Sequence, residues 1–279
     1  MSRIPTKVTE KQFSTYIEPS LSVAKRGYES SIPLFQIFNG IMHKLYTGCQ
    51  WQELPTEKFP DPKTGKVLSW QAFYHHYRKW CKDGSLFRLF QFSILAISHC
   101  LNFSELNLDG THSIAKKGGE EVAYQARKKA KTSNILPLVD AVGYIVGFLP
   151  LTAGNHHDSY QLKERLSDLF KSMNKLGLPY QGAYFNADGA FDTRAARKVC
   201  FNFGVIPNIC QNKRNRKKKQ RGRKRLFDPE IYKNRFVSER LNAWVDKFRS
   251  LLIRFEVKAV YRLGANLIAF AMINLRNLF

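Results

Sequence analysis

The fold is decided by the stretch ILPLVDAVGYIVGFLPL, which occupies residues 135–151. Its two apolar runs, residues 135–141 and 144–151, predict buried strands, because short apolar runs bounded by turn residues are typical of a sheet. Gly143 lies between the runs and predicts the turn of a β-hairpin. The charged Asp140 interrupts the stretch, so we do not expect it to span a membrane.

The segments on either side of this hairpin predict further strands and helices. The other predicted strands cover residues 106–109, 182–186 and 204–209. Predicted helices cover residues 162–173, with a start near residue 158, and residues 193–203, 229–256 and 261–278. Strands that first follow one another and then alternate with helices predict an α/β fold with a sheet of mixed direction.

The N-terminal part of the chain predicts helices. Helix-like apolar spacing between residues 32 and 42 precedes a turn-rich segment at residues 54–65. Ser69 could cap the next helix, and another follows Gly84 and extends to residue 99. The helix after Ser69 carries the aromatic residues Trp70, Phe73, Tyr74, Tyr77 and Trp80. A small aromatic helical domain with basic edges is typical of DNA binding, although a packing scaffold fits the same pattern.

Charge points to a polyanionic partner. The chain has 45 Lys and Arg against 22 Asp and Glu, a formal net charge of +23, and such a field favours nucleic acid. A 44% hydrophobic content excludes a wholly disordered chain. Residues 213–225 contain ten basic residues, which predict a mobile loop that contacts DNA phosphates, with a solvated loop or a localisation signal as alternatives. These are Lys213, Arg214, Arg216, Lys217, Lys218, Lys219, Arg221, Arg223, Lys224 and Arg225.

The cysteines and the N-terminus favour a cytoplasmic protein. Five cysteines, an odd number without a closely spaced pair, are typical of free thiols in a reducing compartment. Residues 1–12 are polar and lack an apolar signal region, so secretion is not expected.

Two aspartates each end a predicted strand and precede a glycine. Asp109 and Asp188 would lie where their strands leave the sheet, on the polar faces that also carry Asn107 and Asn186. Carboxylates on neighbouring strand ends could bind Mg²⁺, which prefers oxygen ligands. Each aspartate taken alone could equally be a turn former before its glycine.

A third acid, Glu239, lies on a predicted amphipathic helix that starts at Asp228 and Pro229. At 100° per residue, its polar face carries Tyr232, Arg235, Glu239 and Asp246. The opposite, apolar stripe carries Val237, Leu241, Trp244, Phe248, Leu251 and Phe255. An ordinary helix with a solvated glutamate fits this pattern, whereas a helix along the sheet edge would turn Glu239 toward the two aspartates.

Other acids and histidines are weaker candidates. The run His156-His157-Asp158 could be a metal or general-base cluster, but Asp158 could instead cap a helix. Asp140 lies within the hairpin and Asp192 could cap a helix, so neither is expected to be catalytic.

Several motifs together resemble one family. Tyr232-x-x-Arg235-x-x-x-Glu239 resembles the signature of bacterial insertion-sequence transposases of the DDE class, in the insertion-sequence-five-like family. NADGAFD at residues 186–192 resembles its second-aspartate motif, and LDGTHS at residues 108–113 its first. Segments 48–55, 69–73, 138–143 and 152–158 also resemble family regions, so the match spans most of residues 30–260.

This resemblance implies an RNase H-like catalytic domain in which Asp109, Asp188 and Glu239 hold two Mg²⁺ ions, with Mn²⁺ as a possible substitute. One ion would activate water or a DNA 3′-OH, and the other would stabilise the leaving oxygen. The implied function is binding of terminal inverted repeats, DNA cleavage and strand transfer. A nuclease without strand transfer and a non-catalytic DNA-binding descendant of a transposase remain alternatives.

The resemblance also implies domains and partners. Residues 1–102 would form a DNA-binding or dimerisation domain, and residues 103–279 a catalytic domain with a basic insertion at 211–227. Double-stranded DNA of transposon ends and target would be bound at the nucleoid by a homodimer or larger assembly, without a membrane. Besides the basic run, the expected DNA contacts are Tyr232, Arg235, Arg240, Lys247 and Arg249. The family usually has Lys seven residues after the Glu, where this chain has Asp246, followed by Lys247.

Overall fold

The computed structural model describes residues 4–23, 30–211 and 226–279. The ten basic residues of segment 213–225 lie outside the described residues, so their contact with DNA stays a prediction.

The helices and strands follow one another along the whole chain. The helices are α1 (Glu10–Tyr16), α2 (Leu34–Thr47), α3 (Trp70–Lys82), α4 (Ser85–Ala96), α5 (Leu162–Lys175), α6 (Arg194–Asn202), α7 (Pro229–Lys233), α8 (Phe236–Val245), α9 (Arg249–Leu252) and α10 (Ala259–Leu275). The strands are β1 (Glu105–Leu108), β2 (Thr111–Ala115), β3 (Ala123–Gln125), β4 (Ala130–Asp140), β5 (Ile145–Ala153), β6 (Tyr184–Ala187), β7 (Ile206–Ile209) and β8 (Ile253–Arg254).

These elements form two compact units. The first, called the helical unit below, contains Met1–Ser98, Ser113–Glu120 and Trp244–Phe279. The second, called the sheet unit, contains His99–His112 and Glu121–Ala243. The functional division between residues 102 and 103 stays a prediction.

The core of the helical unit is built around α10, which is apolar on nearly all sides. Such a helix has to be buried, and its residues from Gly264 to Leu275 all are. It packs on α4, where the rings of Phe90 and Phe270 lie 6.0 Å apart. Among the described residues, no helix is both long and apolar enough to cross a membrane.

The predicted N-terminal helices are confirmed. The apolar positions between residues 32 and 42 lie in α2, and Phe73, Tyr77 and Trp80 of α3 are buried. Ser69 occupies the position before α3, but its side chain does not hydrogen-bond the helix. The helix after Gly84 ends at Ala96 rather than at residue 99.

The sheet unit holds a sheet of mixed direction. Its strand order is β7-β6-β1-β4, and β3 and β5 also pair with β4. Strands β1, β6 and β7 are parallel, whereas β4 is antiparallel to β1, β3 and β5. The predicted hairpin is therefore confirmed as β4 and β5, with Gly143 in the turn at φ 100°. Strand β1 thus lies between an antiparallel neighbour, β4, and a parallel neighbour, β6. This mixed arrangement agrees with the expected RNase H-like α/β fold.

Two predictions about helix starts are wrong, and two short strands were not predicted. Helix α5 begins at Leu162 after Gln161, so Asp158 does not cap it. Helix α6 is capped by Thr193, whose hydroxyl accepts from the Ala196 amide, so Asp192 is not the cap. Strands β2 and β3 were not expected, because their sequences, THSIA and AYQ, are short and largely polar.

The predicted helix at residues 229–256 is also wrong, because the chain breaks it into α7, α8, α9 and β8. Asp228 caps α7 as expected, and its side chain accepts from the Glu230 and Ile231 amides. Asn234 and Arg235 form a turn between α7 and α8, where main-chain bonds tighten to the three-residue spacing of a 3₁₀ turn. Consequently the expected stripe does not continue to Phe255, which is 55% exposed.

Candidate active site

Asp109 and Asp188 lie at the same edge of the sheet. Strands β1 and β6 are parallel, with Asn107 opposite Asn186, and each aspartate follows two residues later. Burial raises the pKa of Asp109, Arg235 opposes this shift, and the negative charge of Asp188 adds to it. The structure therefore brings the two aspartates within electrostatic reach of each other, as the strand-end prediction requires.

Arg235 lies against this pair of acids. Its Nη2 atom is 2.7 Å from Oδ1 of Asp109, and both side chains are about three-quarters buried. Burial acts to lower the pKa of Arg235, but the attraction of Asp109 and Asp188, together with Tyr232, raises it. Arg235 thus supplies positive charge where two carboxylates would otherwise repel each other.

Asp188 is held by the loop that follows it. Its Oδ1 atom accepts a hydrogen bond of 2.7 Å from the amide of Ala190, which lies in a short 3₁₀ turn at Gly189–Phe191. This contact fixes one carboxylate oxygen of Asp188 at the strand end.

Glu239 lies in the first turn of α8, four residues after Arg235, and its side chain is exposed. In the part of the chain that the structure describes, no group of three or more His, Cys, Asp or Glu side chains is arranged to hold a metal ion. The structure therefore brings Asp109 and Asp188 together but does not add Glu239 to them. Its role as the third acid stays a prediction.

The predicted DNA contacts fall into two groups. Within the sheet unit, Arg235 lies 5.8 Å from the ring of Tyr232, and Arg240 donates to the carbonyl of Val142. Lys247 and Arg249 are exposed residues of the helical unit. Asp246, at the position where the family usually has Lys, is also exposed.

The weaker candidates have structural contacts. Asp140 is fully buried, and its carboxylate accepts from the amides of Asn102, Val142, Gly143 and Tyr144. Asp192 forms a buried ion pair of 3.0 Å with Arg197. The carboxylates of both acids are therefore bound by groups of the fold itself.

The run His156-His157-Asp158 divides between different partners. His156 stacks on Tyr160 with ring centres 3.7 Å apart, and His157 contacts the Ser159 hydroxyl at 2.8 Å. Asp158 accepts a 2.8 Å hydrogen bond from Asn134. The predicted alternative of a three-residue metal cluster has no support, since the described residues contain no such group.

Sequence reasoning placed Asn107 and Asn186 on the faces of the aspartates, but it missed that they form a hydrogen-bonded row with Asn208. Asn107, Asn186 and Asn208 are opposite one another on β1, β6 and β7, and all three are buried. The Asn186 amide donates to Asn107 at 2.9 Å, and the Asn208 amide donates to Asn186 at 2.7 Å. Period-two spacing from Asp109 and Asp188 was the available signal, because it places Asn107 and Asn186 on the same faces.

Comparison with known proteins identifies the family. Residues 8–90 match a family model described as a putative transposase of IS4/5 family, and residues 101–274 match one described as a transposase DDE domain. No curated protein matches the chain in sequence. A Mos1 transposase paired-end complex with left transposon end is similar at a TM-score of 0.29 and 11% identity, covering 92% of this chain and 82% of that one, too weakly to support a conclusion. The DDE-domain model alone covers more than half of the chain, which therefore belongs to the family of DDE-domain DNA transposases.

Proposed function

We propose that this transposase binds the terminal inverted repeats of an insertion sequence, cleaves the DNA at those ends and joins them to target DNA with divalent metal ions. The observation that carries the proposal is the placement of Asp109 and Asp188 on adjacent parallel strand ends. The charge of Asp188 raises the pKa of Asp109, and a divalent cation bound by both carboxylates would relieve that repulsion.

The donor atoms fit Mg²⁺ or Mn²⁺, since both prefer carboxylate oxygens. Asp109 and Asp188 would hold the ions, and Glu239 is the proposed third ligand because α8 begins directly after Arg235, which already reaches Asp109. When bound, the ions would activate the attacking hydroxyl and stabilise the leaving oxygen. No protein nucleophile is needed for this reaction.

The residues around the acids are suited to holding a phosphodiester. Arg235 places a guanidinium beside Asp109, and Arg240 follows five residues later in α8. A guanidinium binds phosphate oxygens in a fixed geometry, so Arg235 could orient the scissile phosphate or its neighbour. Tyr232, Lys247, Arg249 and segment 213–225 are the other proposed contacts to double-stranded DNA at the nucleoid, and we propose a homodimer or larger assembly on that DNA.

An assay with oligonucleotides from the DNA that flanks the coding region, a target plasmid and Mg²⁺ or Mn²⁺ tests the proposal. We expect joined oligonucleotide–plasmid products that require a metal ion. Asp188→Asn should abolish them, whereas Asp246→Asn, a matched change at an exposed acid, should not.

The alternatives give different results in the same assay. Metal-dependent nicking without joining would indicate a nuclease. DNA binding without any metal-dependent product, unchanged by Asp188→Asn, would indicate a non-catalytic DNA-binding protein.

A further inference from the structure

Glu105 is the first residue of β1, four residues before Asp109, and it is 9% exposed. Its two carboxylate oxygens accept hydrogen bonds from side chains on two other elements. Oε2 accepts from Asn186 at 3.0 Å, and Oε1 accepts from Asn234 at 2.7 Å. Neither oxygen is left without a donor, so Glu105 is bound into the fold rather than open to a ligand.

Each of these partners stands beside a predicted site residue. Asn186 precedes Asp188 by two residues on β6, and Asn234 directly precedes Arg235 in the turn before α8. Glu105 itself belongs to β1, the strand that Asp109 directly follows. One buried carboxylate therefore links the three chain segments that carry Asp109, Asp188 and the Arg235–Glu239 signature.

The same hydrogen-bond chain holds the other end of α7. The Asn208 amide donates to Asn186, and Asn208 also exchanges two hydrogen bonds with the main chain of Asp228, at 2.7 and 3.0 Å. Asp228 is the cap of α7, and Asn234 follows its last residue. Helix α7 is thus attached to the sheet at both ends by side-chain amides.

We propose that Glu105 is a positioning residue of the transposase site. It fixes the Asn234–Arg235 turn, and with it the start of α8, relative to the strands that carry Asp109 and Asp188. It acts through Asn234 and Asn186 and does not contact DNA or metal. The inference rests on the proposed function for its catalytic consequence, but the hydrogen-bonded clamp can be tested without activity.

Exchanging donor and acceptor gives a sharp test of the clamp. Asn234→Asp brings a second carboxylate against Glu105 and breaks the contact. Glu105→Gln should keep it, because the Asn234 amide can turn so that its oxygen accepts from the new amide. In the double variant, the new amide at position 105 can donate to the new carboxylate at position 234, while the amide oxygen still accepts from Asn186. Glu230→Gln is the control for Glu105→Gln, because it also replaces a glutamate with glutamine, but at an exposed acid of α7.

The first readout is amide hydrogen exchange in the DNA-free protein. We expect Asn234→Asp to speed exchange in residues 235–239 about tenfold or more, Glu105→Gln to change it much less, and the double variant to restore it, as coupled residues in contact do. Helix α5, in the same unit, serves as the internal reference. An Asn234→Asp variant that exchanges like the wild type in residues 235–239 would overturn the clamp, whatever the activity.

The second readout is the joining rate at saturating end DNA, compared with the affinity for that DNA. We expect Asn234→Asp to lower the rate about tenfold or more with little change in DNA affinity, and the double variant to recover most of it. Faster exchange with an unchanged joining rate would overturn the positioning role and leave a structural contact. Wild-type protein that binds ends but joins none would refute the proposed function, while the exchange result would still decide the clamp.

Discussion

At the scale of single residues, the central feature is the contact between Arg235 and Asp109. Both side chains are about three-quarters buried, so solvent screens this ion pair only in part, and we expect it to contribute about 1–3 kcal/mol to folding. Its position beside Asp188 suggests that the pair matters for chemistry more than for stability. Burial raises the pKa of Asp109, the positive charge of Arg235 lowers it, and the negative charge of Asp188 raises it.

Replacing Arg235 with Gln should separate these two roles. We expect a loss of about 1–3 kcal/mol in unfolding free energy, with a loss of metal-dependent joining of about 100-fold or more. Chemical denaturation and the oligonucleotide assay measure the two effects. A variant that joins DNA at the wild-type rate would show that the Arg235 contact has no part in the reaction.

The pKa of Asp109 gives a second prediction at this scale. Since Asp188 raises that pKa, Asp188→Asn should lower it, and carbon NMR of the Asp109 carboxyl should show the downward shift. A raised pKa in the folded state means that the ionised form is disfavoured, so this group's destabilising contribution disappears as the pH falls through that pKa. Metal-dependent joining should fail over the same acidic range, because a protonated Asp109 binds metal poorly. An Asp109 pKa unaffected by Asp188→Asn would place the two aspartates too far apart to cooperate.

At the scale of elements, the hairpin of β4 and β5 shows which features a sequence determines locally. Its apolar runs and Gly143 predicted both strands and the turn, because every deciding residue lies within the hairpin itself. The segment from α7 to β8 shows the opposite case. Its periodicity predicts one long helix, but Asn234 and Arg235 reach Glu105 and Asp109, which are more than a hundred residues away in sequence.

The candidate site likewise has one part that local sequence predicts and another that depends on distant contacts. Period-two spacing before a glycine was enough to place Asp109 and Asp188 at strand ends. Whether Glu239 joins them depends on how α8 begins, and that is fixed by contacts of Asn234 that no local pattern contains. Short polar strands such as β3 were missed because their pairing with β4, rather than their own composition, makes them strands.

The hairpin turn offers a test of stability. Asp140→Ala would remove the carboxylate that accepts from four amides and leave three of them, those of Asn102, Val142 and Tyr144, without that acceptor, whereas the Gly143 amide keeps the carbonyl of residue 140. We expect a loss of about 2–4 kcal/mol in unfolding free energy. Asp140→Asn keeps one acceptor oxygen and should lose less. Thermal and denaturant unfolding of the two variants measure the difference, and equal effects would contradict the assignment of these hydrogen bonds.

At the scale of the whole molecule, charge determines how the protein meets DNA. A formal net charge of +23 predicts binding dominated by phosphate contacts and therefore by salt. Replacing the ten basic residues of segment 213–225 with Gln should weaken end binding and flatten the plot of log affinity against log salt. Each lost contact should reduce the slope by about 0.9. An unchanged slope would show that this segment does not bind the backbone.

The central claim is that Asp109 and Asp188, joined by Glu239, hold the catalytic metal ions. Anomalous scattering from crystals grown with terminal-repeat DNA and Mn²⁺ tests it most directly. We predict Mn²⁺ bound by the carboxylates of Asp109 and Asp188, with Glu239 completing the ligands beside the scissile phosphate. Mn²⁺ bound to other residues at the cleavage point, with these two aspartates holding none, would contradict the account.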